Sequence, residues 1–252
     1  RDKLATSNKE ALMMAINAGI DMAMIPYDYK TFCDDLVALV NEGKVSKERI
    51  DDAVLRILQL KYELGLFETP VTNAKDYPKF ASVEFEKVAY DAAAESITLL
   101  KDSANILPLK AGVKLLVTGP NANSMRTLNG GWSYSWQGEK TELFAAKYNT
   151  IFKALQNKVG ATNVNFVAGV EYKMNGKYYE DSIVNIDAVV RAASGVDYVV
   201  LCVGENSYTE KPGDLNDLNL SENQLALINA VIKTKKPVIL ILNEGRPRII
   251  NK

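Results

Sequence analysis

The first 66 residues repeat apolar positions with the period of an α-helix. Three segments, 7–17, 29–41 and one that begins at the N-cap residue Ser46, each carry apolar residues at i, i+3 and i+4 spacing, which predicts three helices. Between the first two helices, residues 20–25 form a short apolar run that ends at Pro26 and predicts one strand. Because one strand cannot form a sheet, we expect residues 1–66 to be the end of a larger α/β domain.

The rest of the chain alternates predicted strands and helices. Residues 67–78 contain two prolines and no periodicity, which indicates a linker, and a helix is predicted at 82–95. Strands are then predicted at 114–118, 164–167, 197–203 and 238–242, and helices at 148–159, 183–193 and 222–233. This alternation predicts a mainly parallel sheet covered on both faces. The predicted domains are therefore 1–66, a linker with its leading helix at 67–95, and an α/β domain at 96–252 that is expected to be incomplete.

Composition narrows the classes of function. The chain has 30 basic and 31 acidic residues, a net charge of −1, which removes the electrostatic argument for binding nucleic acid or an anionic membrane. No apolar run reaches the length of a membrane span and no signal peptide is recognisable, and since the chain starts directly in helix-like sequence we expect it to be a fragment. Cys33 and Cys202 both sit in apolar patterns, which predicts small core residues and not metal ligands or a disulfide. The absence of histidine excludes Ser-His-Asp and Cys-His catalysis within this chain and leaves carboxylates, lysines and tyrosines for proton transfer.

The polar loop 204–214 is the main candidate for chemistry. It follows the apolar strand 197–203, and ligand sites of open α/β sheets lie beyond the carboxyl ends of such strands. Glu205 comes directly after the strand and can simply bond to backbone groups of the turn, whereas Glu210 stands farther out, where an acid can reach into a cleft. From the residues alone, either glutamate is a candidate acid, and a solvated surface loop is the alternative.

A second loop, at 129–138, concentrates aromatic residues. Trp132, Tyr134 and Trp136 lie within five residues, flanked by glycines and without helical spacing, which favours a surface that holds the apolar faces of sugar rings. The alternative is that the loop packs on its own domain, and we expect this for one of the two tryptophans. A phosphate-binding loop at 119–123 is disfavoured, because neither the Walker lysine nor the GxGxxG spacing is present.

Seven segments, spread over nearly the whole chain, resemble glycoside hydrolase family 3, the β-glucosidases and exo-acting β-glucanases. They are AGIDMAM (18–24), RIDDAVLRIL (49–58), LGLFE (64–68), ESITLLK (95–101), GGWSYSWQG (130–138), YTEKPGD (208–214) and GRP (245–247). The resemblance implies the C-terminal end of a (β/α)8 TIM-like barrel followed by an α/β sandwich domain.

The resemblance also implies a chemistry. Such enzymes use two carboxylates from two domains, and the acid/base maps onto Glu210. The nucleophile belongs to a Ser-Asp-Trp-like motif that this chain lacks, so the missing N-terminal barrel portion is an expected partner and the chain alone is expected to be inactive. Trp136 resembles the tryptophan that stacks on the leaving-group sugar, and the site is expected in a cleft between the domains. Trp132 is the second substrate-binding candidate, although its replacement is expected to act mainly through stability.

The implied function is retaining hydrolysis of β-glucosides or β-glucans from the non-reducing end. No metal or cofactor is implied, and location in a periplasm or outside the cell is expected from the family alone. Two alternatives stay open: a β-xylosidase or other β-glycosidase of the same family, and a small-ligand-binding α/β module without catalytic activity.

Overall fold

The computed structural model describes residues 4–174 and 176–250. The chain divides into two compact units, Arg1–Leu100 and Lys101–Lys252. Each unit has its own hydrophobic core.

The first unit is helical in the part that the structure describes. Its helices are α1 (Asn8–Asn17), α2 (Tyr29–Asn41), α3 (Lys47–Glu63) and α4 (Val83–Ser96), with a short 3-10 turn at Ala74–Asp76. Helices α1, α3 and α4 begin after a serine whose hydroxyl accepts a backbone N–H three residues later, the N-cap arrangement that the sequence predicts at Ser46. A small core joins α1 to α2 and to the start of α3; its buried members are Leu12, Ile16, Leu39 and Val45.

The predicted strand at residues 20–25 is wrong. These residues are irregular, and the described part of the first unit contains no strand with which they could pair. Isolated strands leave their backbone groups unpaired and are not stable, so the apolar pattern alone does not produce one here. The segment is instead fixed through Asp21, whose carboxylate accepts a 2.7 Å bond from the Arg49 guanidinium of α3.

The second unit is the predicted sheet with helices on both faces. Strands β1 (Leu115–Thr118), β2 (Val164–Phe166), β5 (Tyr198–Gly204) and β6 (Val238–Asn243) form one parallel sheet in the order β2-β1-β5-β6. Helices α6 (Ile186–Ala193) and α7 (Glu222–Lys233) pack on one face, and α5 (Ile151–Val159) packs on the other. Successive residues of β5 alternate between the two cores: Val199, Leu201 and Val203 face α6 and α7, whereas Val200 and Cys202 face α5. The mainly parallel α/β architecture is thus confirmed.

The starts of two helices and one additional hairpin differ from the sequence-based expectation. The helix predicted at 183–193 begins only at Ile186, after Asn185, whose side chain caps it. The residues before it form β4 (Asp181–Ile183), which pairs antiparallel with β3 (Val170–Tyr172). Strands of three residues are too short to show an alternating pattern, so this hairpin carries no recognisable sequence signal. The helix predicted at 148–159 likewise begins later, after the cap Thr150.

Candidate active site

The candidate site lies at the carboxyl edge of the parallel sheet, where β1, β5 and β6 end side by side. The three loops that follow these strands meet there, because the Asn121 side chain donates to the backbone oxygens of Glu205 (3.1 Å) and Asn243 (3.3 Å). At Gly204, φ is +142°, and a Cβ there would lie 2.0 Å from the carbonyl oxygen of Asn243. Only glycine permits this approach of the two strand ends. The loops that the sequence singles out as candidates for a site therefore lie at this edge, and their function stays a prediction.

Glu205 is a buried structural carboxylate. Its side chain is 5% exposed, and Oε2 accepts hydrogen bonds from the Gly245 N–H (2.9 Å) and the Tyr208 hydroxyl (3.0 Å). Oε1 lies 3.3 Å from Nη1 of Arg248, an ion pair whose atoms are not aligned for a hydrogen bond. Glu205 therefore joins the loop after β5 to the loop after β6, which is the structural alternative that the sequence left open for this residue.

Arg246, in the loop after β6, binds the loop after β5 at two residues, one before and one after Glu210 in the sequence. Its Nε donates to the Tyr208 hydroxyl (2.8 Å) and its Nη2 to the carbonyl oxygen of Gly213 (2.9 Å), while the guanidinium lies over the Tyr208 ring. Burial raises the pKa of Tyr208, so this hydroxyl stays protonated and donates to Glu205 while it accepts from Arg246. The segment 208–213 is thus fixed at both ends.

Glu210 is exposed, in contrast to Glu205. Its backbone has φ 55° and ψ −146°, a combination that residues other than glycine rarely adopt. The short 3-10 helix Lys211–Gly213 begins directly after it. Its side chain accepts a hydrogen bond from Trp132, whose indole Nε1 donates to Oε1 at 3.1 Å. The acidic side chain therefore stands at the surface of its own unit, held by an aromatic residue of the second loop.

The aromatic loop is bound to the Glu210 loop by a residue that sequence reasoning did not single out. The side-chain amide of Gln137 makes two bonds to the backbone of Thr209: its oxygen accepts from the N–H (3.1 Å) and its nitrogen donates to the carbonyl (3.2 Å). The hydroxyl of Ser207 donates to the Gln137 carbonyl oxygen (2.7 Å). A Cβ at Gly131 would lie 2.2 Å from Cβ of Thr209, so the two loops are in direct contact. The only sequence signal for this role was the position of Gln137 beside Trp136.

Neither tryptophan is buried in its own unit. Trp132 is 67% exposed and Trp136 is 47% exposed, whereas Tyr134 stacks on the ring of Phe144 at a centroid distance of 5.0 Å. Tyr134 is nevertheless 70% exposed, and Trp136 is the most covered of the three aromatic side chains. The expectation that one tryptophan packs on its own domain stays a prediction. Both indoles retain accessible surface, and that of Trp132 contacts the carboxylate of Glu210.

Glu139, directly after the aromatic loop, is a second acidic side chain with a structural role. Hydrogen bonds from its own backbone N–H and from the Ser135 hydroxyl (2.8 Å) lower the pKa of this carboxyl. The N–H of Gln137 donates to the same oxygen at 3.1 Å. Glu139 is therefore ionised near neutral pH and orders the turn on which Trp136 and Gln137 lie.

A groove of about 1010 Å³ lies next to the two loops. Among the described residues, its walls include Gln137, Tyr178, Asn206 and Asp214, but not Glu210 or either tryptophan. The groove therefore borders the two loops that carry these three side chains. In the described ranges, no group of three or more acidic or cysteine side chains is arranged to hold a metal ion. None of the described helices combines the length and the apolar character needed to cross a membrane.

Comparison with known proteins matches both units to one family. Residues 97–252 match the glycosyl hydrolase family 3 C-terminal domain, and residues 3–60 match the N-terminal domain of the same family. The chain belongs to glycosyl hydrolase family 3. The parallel sheet described above is the sandwich domain that the resemblance implies, and residues 3–60 correspond to part of the family's N-terminal domain.

Individual relatives of this family 3 chain cover almost all of it. The lysosomal β-glucosidase of Dictyostelium discoideum is 40% identical over 98% of the chain, and the periplasmic β-glucosidase of Salmonella typhimurium is 30% identical over 96%. The crystal structure of β-glucosidase from Listeria innocua in complex with glucose matches 98% of the chain with 31% identity and a TM-score of 0.75. β-Xylosidases also occur among the relatives. The chain spans only 30%, 33% and 32% of these three β-glucosidases, respectively.

Proposed function

We propose that Glu210 is the general acid/base of a retaining β-glycosidase that releases glucose from the non-reducing end of β-glucosides or β-glucans. The observation that carries this assignment is the contrast between the two glutamates of the loop: Glu205 is buried and bound to groups of its own unit, whereas Glu210 is exposed and contacts the accessible indole of Trp132. An acid/base must reach the substrate, and only Glu210 meets that requirement.

The nucleophile is a barrel aspartate outside this chain, as the family resemblance implies. In retaining hydrolysis the two carboxyls stand about 5 Å apart across the glycosidic bond. In the first step, protonated Glu210 gives its proton to the glycosidic oxygen while the C–O bond breaks and the aspartate bonds to the anomeric carbon. In the second step, ionised Glu210 takes a proton from water, the water oxygen bonds to the anomeric carbon, and the aspartate leaves.

Trp136 is proposed to stack on the leaving-group sugar. Its indole retains 47% exposure and lies on the loop that Gln137 ties to Thr209, next to the proposed acid. An aromatic face of this kind binds the apolar face of a pyranose through apolar contact. Trp132, the second substrate-binding candidate, contacts the carboxylate of Glu210 itself.

The substrate class is proposed from the relatives. Two of them are named β-glucosidases and a related structure contains glucose, which favours a β-glucoside, while the β-xylosidases keep a pentoside as the second candidate. A binding module without catalytic activity is less well supported, because its acidic loop residue would be expected to be buried in its own unit, as Glu205 is. The periplasmic relative favours location in a periplasm or outside the cell.

The test uses the complete enzyme, by which we mean this chain preceded by the rest of a family 3 barrel; the chain alone is expected to be inactive. Hydrolysis rates on 4-nitrophenyl β-glucoside, β-xyloside and β-galactoside are compared, and the first sugar anomer released is identified by NMR. The proposal expects a preference for the glucoside and initial release of β-glucose. Initial release of α-glucose would contradict the retaining mechanism, and a preference for the xyloside would favour the alternative substrate.

A further inference from the structure

We propose that Trp132 is a positioning residue that holds the side chain of Glu210 in the orientation for proton transfer. This inference rests on the proposed acid/base role of Glu210. It assigns Trp132 to the carboxylate and not to the sugar or to the stability of the loop.

The first observation is the contact itself. The indole Nε1 of Trp132 donates to Oε1 of Glu210 at 3.1 Å, across 78 positions of sequence. An indole N–H can only donate, so Oε1 of Glu210 is the acceptor in both the acid and the base step. In the acid step the proton of Glu210 is then carried by the other oxygen, Oε2. The hydrogen bond therefore leaves Oε2 free to face the glycosidic oxygen.

The second observation is that both residues are held in uncommon backbone conformations. Trp132 has φ 65° and Glu210 has φ 55°, both in the left-handed region that side chains other than glycine rarely adopt. Such conformations persist only where the surrounding contacts determine them, and they concentrate at functional sites. Here the N–H of Trp132 donates to the carbonyl oxygen of Trp136 (2.9 Å), so the turn that aims the indole is closed by a backbone bond.

The third observation is that the distance between the two loops is fixed next to the contact. Gln137 binds both backbone groups of Thr209, the residue before Glu210, and Gly131 packs directly against Thr209. Gly131 and Gln137 lie on either side of Trp132 in the sequence, and Thr209 directly precedes Glu210. The indole and the carboxylate are therefore carried by two segments that cannot separate without breaking these contacts.

The exposure of the indole excludes the simpler explanation that Trp132 is a core residue. With 67% of its surface accessible, its ring contributes little burial to the stability of the unit. The indole N–H of Trp132, in contrast, donates to the carboxylate of Glu210, an exposed acid of the loop. This combination fits a residue that acts through Glu210.

The test removes the N–H and keeps a flat aromatic ring. In the complete enzyme, Trp132→Phe is compared with the matched variant Trp136→Phe on a series of aryl β-glucosides whose phenols range from strongly to weakly acidic. Every substrate of the series presents a single aromatic ring in place of the leaving-group sugar, so any stacking at Trp136 is similar for all of them. A weakly acidic phenol needs a proton to leave, whereas a dinitrophenol hardly does.

We expect Trp132→Phe to lower kcat/KM about tenfold for the least acidic phenol and less than about twofold for dinitrophenol, since small misplacement of a catalytic group costs large factors in rate. Trp136→Phe should change all members of the series by the same factor. Incorporation of 3-benzothienylalanine at position 132, which replaces the N–H by sulfur and keeps the shape of the ring, should reproduce the dependence of Trp132→Phe on the leaving group. This second variant keeps the test valid if phenylalanine disturbs the loop.

Glu210→Ala is measured in parallel to separate the two hypotheses. If Glu210→Ala loses activity selectively on weakly acidic phenols but both Trp132 variants lose it uniformly or not at all, the positioning role is wrong and the acid/base assignment stands. If Glu210→Ala itself shows no such selectivity, the proposed function fails, and the role of Trp132 fails with it.

Discussion

Replacing Glu205 with alanine removes a buried carboxylate that three groups share. The N–H of Gly245, the Tyr208 hydroxyl and the Arg248 guanidinium all lose their contact with this carboxylate, and Arg248 keeps only its bond to the carbonyl oxygen of Asn219 among the side-chain hydrogen bonds described. Breaking a buried ion pair by removing one member costs about 3–5 kcal/mol, because the other charge stays buried without compensation. The Arg248 side chain is 11% exposed, so this estimate applies to it. The two lost hydrogen bonds overlap with that cost, since they end on the same carboxylate, and we expect a total of about 3–5 kcal/mol.

The assay is urea unfolding of the 252-residue chain followed by tryptophan fluorescence. Both tryptophans, Trp132 and Trp136, lie in the second unit, so the signal reports on that unit alone. With an m value of about 2 kcal/mol/M, the loss lowers the midpoint by about 2 M. Glu210→Ala is the matched control: the same chemical change at an exposed position of the same loop, with an expected effect within about 0.5 kcal/mol.

Two results would contradict this reasoning. A cost below about 1 kcal/mol for Glu205→Ala, or equal costs for the two variants, would mean that the carboxylate of Glu205 is not a buried anchor. The double variant Glu205→Ala with Arg248→Ala provides a further check. Because each single change leaves the other charge unpaired, the double variant should cost less than the sum of the two.

Three other predictions concern the loops and their surroundings. Gly131→Ala places a methyl group against Thr209 and should lower kcat/KM of the complete enzyme by forcing the two loops apart; unchanged activity would show that their contact is not needed. Trp136→Ala should cost about 1–3 kcal/mol of transition-state stabilisation on oligosaccharides and much less on an activated aryl glucoside, and equal losses on both would indicate a structural role. Burial raises the pKa of Glu244, so the folded state favours its protonated form and stability is lost as the pH rises through the raised pKa. Glu244→Gln should therefore unfold at higher urea concentration than the wild type at pH 7, and this advantage should vanish below the ordinary pKa of 4.5; an advantage independent of pH would contradict the assignment.

Much of the fold was predictable because its signals are local. The N-cap residue Ser46 indicates the start of α3, and the apolar run of β5 indicates a buried parallel strand. The strand predicted from the apolar run 20–25 was wrong, because a strand needs partner strands and does not form from its own pattern alone. The β3–β4 hairpin was missed because each of its strands has three residues.

The location of the candidate site was predictable for the same reason, but its internal division of roles was not. A polar loop after a buried parallel strand indicates a site, and it contains both Glu205 and Glu210. Which of the two is buried depends on Gly245 and Arg248, about 40 residues away. The pairing of Gln137 with Thr209 spans 72 positions and has no local pattern either. Contacts of this kind follow from the sheet order, which brings the loops after β1, β5 and β6 together.

The most direct test of the acid/base assignment is rescue of Glu210→Ala by azide in the complete enzyme. Without a base, water attacks the glycosyl-enzyme slowly, so on an activated aryl β-glucoside the intermediate should accumulate and both kcat and KM should fall. Azide attacks without a base, so adding it should restore turnover and yield a β-glucosyl azide, whereas Glu205→Ala should show no such response. Rescue of Glu205→Ala but not of Glu210→Ala would show that the acid/base has been assigned to the wrong glutamate, and rescue of neither would place it outside this loop.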